Sequence, residues 1–353
     1  MGFLSSYGLF LVKSITVVVA IAVTIIIVLN NVMLRKYKNN GQLRLIHLDE
    51  EYRQMKEDIQ LAKIKSHVKK IWLKQHKKQE KIKIKNDKRN AKVNLTAKEK
   101  PTLYVIEFKG SIDANEVSSL REEISAVLSV AGPGDEVLLR LESMGGMVHS
   151  YGLAASQLQR LRDANIYLTI VVDKVAASGG YMMACVANRI IAAPFSIIGS
   201  IGVVAQIPNF NRLLKRNDID IELHTAGQYK RTLTFFGENT EEGRKKFCDI
   251  LNETHQLFKV FINEMRPSLD LEKVATGEHW YGRQALSLGL VDGLDTSDAL
   301  IIRKMKDFTV LGVQYIRKRK IIDRFTHSVS YIVERFFIKI WEHSNKTLIS
   351  NIK

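Results

Sequence analysis

Ser178 lies in the run Asp173-Lys-Val-Ala-Ala-Ser178-Gly-Gly-Tyr181, where a strand gives way through small residues to a helix. At a helix N-terminus the backbone N–H groups point outward and the dipole favours negative charge, so a hydroxyl there can attack a carbonyl. Serine is also a strongly preferred N-cap, and the fragment alone leaves both roles open. A second run, Leu141-Glu-Ser-Met-Gly145-Gly146, again passes from strand to helix, and its glycines expose N–H groups with no Cβ in the way. An oxyanion hole takes two donors about 3 Å from the developing charge, and the Gly145 and Gly179 amides could supply the pair. By itself this run reads as an ordinary strand-to-helix turn. The third run, Ala226-Gly-Gln-Tyr-Lys230-Arg, follows an expected strand at Ile219–Thr225. A lysine after a strand is usually a solvated charge. To act as a general base it must be uncharged near neutral pH, which asks burial and hydrogen bonding for about 4 kcal/mol. Ser200, in Ile198-Gly-Ser200-Ile-Gly202, could orient such an amine. Asp173 and Glu142 lie near these runs and read as structural.

The elements that must position these residues are legible from Pro101 onward. Strands are expected at Thr102–Phe108, Glu136–Glu142, Tyr167–Val172 and Arg189–Ala193, and helices at Asn115–Val130, Val148–Ala164 and from Ser178. A long helix is expected at Thr240–Met265, with shorter ones near Leu269 and Tyr281. Strands alternating with helices of this length argue for an α/β fold with a largely parallel, covered sheet. Met182 to Pro208 is apolar enough to suggest a membrane span, but Asn188, Arg189, two prolines and the glycines break it up, so it reads as core strands.

The chain has 353 residues and a formal charge of +16, unevenly spread. Residues 35–100 carry a net +13 and 317–353 a net +6, while 101–316 carry −4. A slightly acidic centre excludes a uniformly basic nucleic-acid groove as its main business. Cys185 and Cys248 stand alone, with no CxxC, HExxH, Walker or GxGxxG pattern, so metal and nucleotide chemistry is not expected. Ser14–Leu29 is an apolar run, extended by Leu9–Val12 across Lys13, and just reaches the roughly 20 residues that span a bilayer. No small-residue cleavage site follows, so an uncleaved anchor is expected over residues 1–34. Residues 35–100 read as a basic helical stalk, with a helix lying on anionic headgroups as the alternative. After Lys320, apolar residues from Ile322 to Ile340 follow a helical rhythm, which suits an interfacial helix or one packed on the domain.

With these runs in order, the span Thr102 to Asp298 resembles the membrane serine peptidases of the signal peptide peptidase A family, closest to the SohB-like branch. The resemblance implies a Clp protease/crotonase-like ββα-type fold, acyl-enzyme chemistry and no cofactor. It makes Ser178 the nucleophile, Lys230 the general base and acid, Ser200 the residue that orients the lysine, and the Gly145 and Gly179 amides the oxyanion hole. One departure is Met144, where the family usually has proline; the turn loses a fixed φ and gains an N–H. The implied organisation is an anchor at 1–34, a stalk at 35–100, a peptidase domain at 101–300 and a basic extension at 301–353. Implied partners are peptides such as signal-peptide remnants, the lipid bilayer of a bacterial inner membrane, and further copies sharing active sites. The family works on the periplasmic face, whereas the Lys/Arg bias after the anchor favours the cytoplasm. A crotonase-type acyl-CoA enzyme and a non-catalytic membrane scaffold are the rival readings.

Overall fold

The computed structural model describes residues 41–65, 67–74, 78, 81–82, 85 and 100–317. Leu43–Tyr315 is one compact unit; Met1–Gln42 with Ile316–Lys353 is a second, of which only residues 41, 42, 316 and 317 are described. The anchor expected at 1–34 and the helix expected after Lys320 therefore lie outside the described residues. Among the described residues, no helix is long and apolar enough to cross a membrane.

The larger unit is mixed α/β around a sheet whose pairings are almost all parallel. Its strands are β1 (Gln42–His47), β2 (Thr102–Gly110), β3 (Glu136–Ser143), β4 (Tyr167–Val172), β5 (Val175–Ala177), β6 (Arg189–Ala192), β7 (Ile197–Gly199), β8 (His279–Tyr281), β9 (Gly293–Leu294) and β10 (Thr309–Ile316). The main path runs β1-β10-β2-β3-β4-β6-β9, and a branch leaves β3 through β5 and β7 to β8. Only the β7–β8 pairing in this branch is antiparallel. Within the stretch expected as a stalk, the described residues include strand β1 and, after it, helix α1 (Leu48–Lys63).

Strands β2, β3 and β4 read as near-continuous apolar runs because helices or loops cover both faces of a parallel sheet. One face is covered by α2 (Val117–Val130) and α3 (Val148–Asp163), which bury Leu120, Ile124 and Val127, and Tyr151, Ala154, Ala155, Leu158 and Leu161. Those spacings of three and four residues are a helix stripe facing the core. α4 (Gly179–Ala184) is buried at every position. The other face packs Leu103, Val105, Leu138, Val171 and Ile191 against Leu300 and Ile301 of α9 (Ser297–Lys304), so α9 and β10 extend the folded unit beyond residue 300.

Between these lie α5 (Asn211–Arg216), α6 (Glu241–Met265), α7 (Leu271–Val274) and α8 (Gly282–Ser287). Thr240 caps α6, its side chain accepting from the Gly243 N–H. The strand expected at 219–225 is absent: these residues are exposed and carry no regular structure. Ile219, Ile221 and Leu223 alternate as a strand would, but alternation forms a strand only against a partner edge, and they have none among the described residues.

Candidate active site

Three parallel strand ends build the site. Ser143 of β3 is in register with Ala176 of β5, and Ala176 with Ile198 of β7. Gly145, Ser178 and Ser200 each lie two residues beyond that row. All three take positive φ, at 88°, 53° and 52°. The shared row brings residues from three distant parts of the sequence to one edge of the sheet, at the carboxyl ends of its strands. Open parallel sheets place their ligands at that edge.

Ser178 stands between β5 and α4 at φ 53°, ψ −119°. A side chain rarely adopts that backbone, and holding it there costs about 1–3 kcal/mol. Two backbone bonds fix it: its N–H donates to the Gly199 carbonyl at 2.7 Å, and its carbonyl accepts from the Met182 N–H at 2.9 Å. Its side chain caps nothing in α4, so the ordinary N-cap role is absent. Gly145 is pressed against it. A Cβ built on Gly145 would lie 2.7 Å from Ser178 Cβ and 2.8 Å from the Gly179 nitrogen. Only glycine allows that approach. Ser200 is held by its N–H, which donates to the Glu278 carbonyl at 2.6 Å.

The two amides differ. Gly179 opens α4, where the first N–H groups have no partner within the helix. The Gly145 N–H points inward and donates to Ser143 Oγ at 3.0 Å. Around this turn Ile112 and Met144 are 73% and 76% exposed, an apolar rim beside the serine.

Among the described residues Lys230 makes no hydrogen bond to Ser178. It follows a short turn closed by its own N–H on the Gly227 carbonyl at 3.2 Å, and its side chain is exposed. No hydrogen bond or ion pair of its amine occurs among the described residues. The same exposed stretch displays Tyr229, Phe235 and Phe236.

Asp173 and Glu142 have structural partners. The Asp173 carboxylate accepts from the Ser297 N–H at 2.8 Å and its hydroxyl at 2.5 Å, while Glu142 pairs with Lys174 at 3.1 Å. Two residues at the site escaped the sequence reading: Ser143, although it lies within the quoted Gly145 run, and Tyr151, whose helical spacing reads as plain core.

The chain matches the Peptidase family S49 N-terminal description over residues 2–158 and Peptidase family S49 over residues 160–311. It is 52% identical over 344 residues to a probable protease SohB of Buchnera aphidicola subsp. Schizaphis graminum, covering 97% of this chain and 99% of that one. The probable protease SohB of Haemophilus influenzae is 48% identical over 349 residues, with 95% and 97% covered. Among solved structures, a membrane-bound stomatin-specific protease in complex with a substrate peptide aligns with 67% of this chain and 99% of its own. That alignment has a TM-score of 0.36 and 15% identity.

Proposed function

The chain belongs to peptidase family S49, and from that premise we propose that it is a membrane-anchored serine endopeptidase with Ser178 and Lys230 as its catalytic dyad. The observation that carries this reading is Ser178 itself, held at positive φ between β5 and α4 with Gly145 and the Gly179 amide pressed beside it. Strained backbone at a strand-to-helix junction presents a hydroxyl outward and persists where the surroundings over-determine it.

In this mechanism the uncharged Lys230 amine takes the Ser178 proton as Oγ bonds to a peptide carbonyl carbon. The carbonyl oxygen becomes an oxyanion facing the Gly179 amide, and the Gly145 N–H joins it only by leaving Ser143 Oγ. Collapse breaks the C–N bond, the lysine ammonium protonates the leaving amine, and the acyl group remains on Ser178. Water, deprotonated by the same lysine, then hydrolyses the ester. Ser200, level with Ser178 at the end of the neighbouring strand, orients the amine. No cofactor takes part.

A lysine exposed in the single chain needs a covering surface before it can lose its proton near neutral pH. A second copy laid over the exposed apolar side chains between Ile219 and Phe236 would supply that cover and make a homo-oligomer with shared sites. The reading includes a Clp protease/crotonase-like fold, an inner-membrane anchor at 1–34 and a periplasmic catalytic domain. The exposed apolar rim at Ile112 and Met144 suits apolar peptides such as signal-peptide remnants.

Full-length protein in detergent tests this with a fluorophosphonate probe and a set of fluorogenic peptides. Ser178→Ala is expected to abolish labelling, and both Ser178→Ala and Lys230→Ala to lower turnover by about 10³-fold or more. Labelling that survives Ser178→Ala, or wild-type turnover in Lys230→Ala, overturns the dyad.

A further inference from the structure

Beneath the turn lie two polar side chains that this chemistry does not use. Tyr151 and Ser143 are 0% and 2% exposed. Tyr151 Oη donates to the Ser111 carbonyl at 2.8 Å and lies 2.5 Å from Ser143 Oγ. A phenol has one proton, and here it goes to Ser111. Ser143 must therefore donate to Tyr151, which leaves its oxygen to accept from the Gly145 N–H at 3.0 Å. The result is a one-way relay: Gly145 N–H to Ser143, Ser143 to Tyr151, Tyr151 to the Ser111 carbonyl. Burial pushes the Tyr151 phenol up, so it stays neutral and keeps its proton in the relay.

Glycines surround the pair. A Cβ on Gly179 would run into the Tyr151 ring, one on Gly110 into Tyr151 Oη, and one on Gly180 would lie 2.6 Å from the Ser143 carbonyl oxygen. The Tyr151 ring is thus the floor under one amide of the site, and its hydroxyl, through Ser143, is tied to the other. A phenylalanine would fill the same volume without burying a polar group. The hydroxyl has its function in the relay.

We infer that Tyr151 and Ser143 are positioning residues of the oxyanion site: the ring sets the height of the Gly179 amide, and the hydroxyl relay holds the Gly145 turn against Ser178 and that amide. The inference rests on the Ser178 reading above. It assigns to a pair of buried side chains the alignment that Ser178 and the Gly179 donor need, since a small misplacement near reacting atoms costs rate steeply.

Tyr151→Phe keeps the ring and removes the hydroxyl; Ser143→Ala breaks the same relay one step nearer the turn. Both are measured in the full-length protein for kcat, KM, inhibition by a peptide aldehyde that forms a tetrahedral adduct, and binding of the cleaved product peptide. In each variant kcat is expected to fall about 10-fold or more, with aldehyde affinity falling in parallel and KM and product affinity within twofold of wild type. The double variant is expected to be no worse than the poorer single one, because the two act in one chain. Unchanged kcat and aldehyde affinity in both variants overturns the inference. So does a loss carried equally by aldehyde and product binding, which would mean a general loosening of the groove. Wild-type protein that fails to label at Ser178 overturns both this and the dyad; labelled wild type with unaltered variants overturns the relay alone.

Discussion

Ser178 holds a positive φ of 53° that a glycine would adopt without steric cost. Glycine there would relieve about 1–3 kcal/mol of strain and return part of it as lost chain entropy. Ser178→Gly is therefore expected to melt about 2–4 °C above Ser178→Ala, with both variants inactive. Equal melting temperatures would show that the positive φ is relaxed in solution. The sequence announced the small residues around this serine, and their purpose is visible: Gly145, Gly179 and Gly180 each permit an approach that a Cβ would block. It did not announce the strain, which is imposed by the bond from the Ser178 N–H to Gly199, a residue of another strand. Tyr151 was hidden for a related reason. Its spacing from Leu158 and Leu161 is that of any core residue, and only the position of its hydroxyl sets it apart.

At the scale of elements, α2 and β10 are joined by a buried carboxyl. Glu123 is 4% exposed, accepts the Tyr315 N–H at 2.7 Å, and burial pushes it up to about 7. An unfolded glutamate titrates near 4.3, so between that pH and about 7 the folded state holds a proton that the unfolded state has lost. The stabilisation this gives is complete in acid and disappears as pH rises through 7, with a slope of up to about 1.4 kcal/mol per pH unit. Glu123→Gln should therefore gain on wild type from pH 5 to about pH 7 and level off by pH 8 in denaturant titrations. A gap that stays constant over that range would count against a protonated Glu123. Elements of strong periodicity were readable directly: Tyr167–Val172 is found as expected, and α6 starts one residue after its Thr240 cap. Strands β5 and β7 have three residues each, too few for any period to show, and β10 is recruited by β2 from a stretch whose surroundings read as an extension.

For the molecule as a whole, the exposed lysine is the feature that asks for company. If sites are shared between copies, mixing Ser178→Ala with Lys230→Ala protein under subunit exchange should restore up to about a quarter of wild-type activity, the fraction of sites that receive both intact residues. No recovery despite verified exchange would place both groups in one chain. Charge asymmetry and the slightly acidic centre could be read from composition, whereas the exposure of Lys230 could not, since it depends on which surfaces the folded chain lays over that stretch. The row linking Ser143, Ala176 and Ile198 has a consequence for how such a protein can change over time. A single codon added within β5 or β7 would move one serine about 3.3 Å along its strand relative to the other. Length variation among relatives should accordingly gather in the connections outside these short strands, leaving the six positions as a fixed gauge on which the chemistry is measured out.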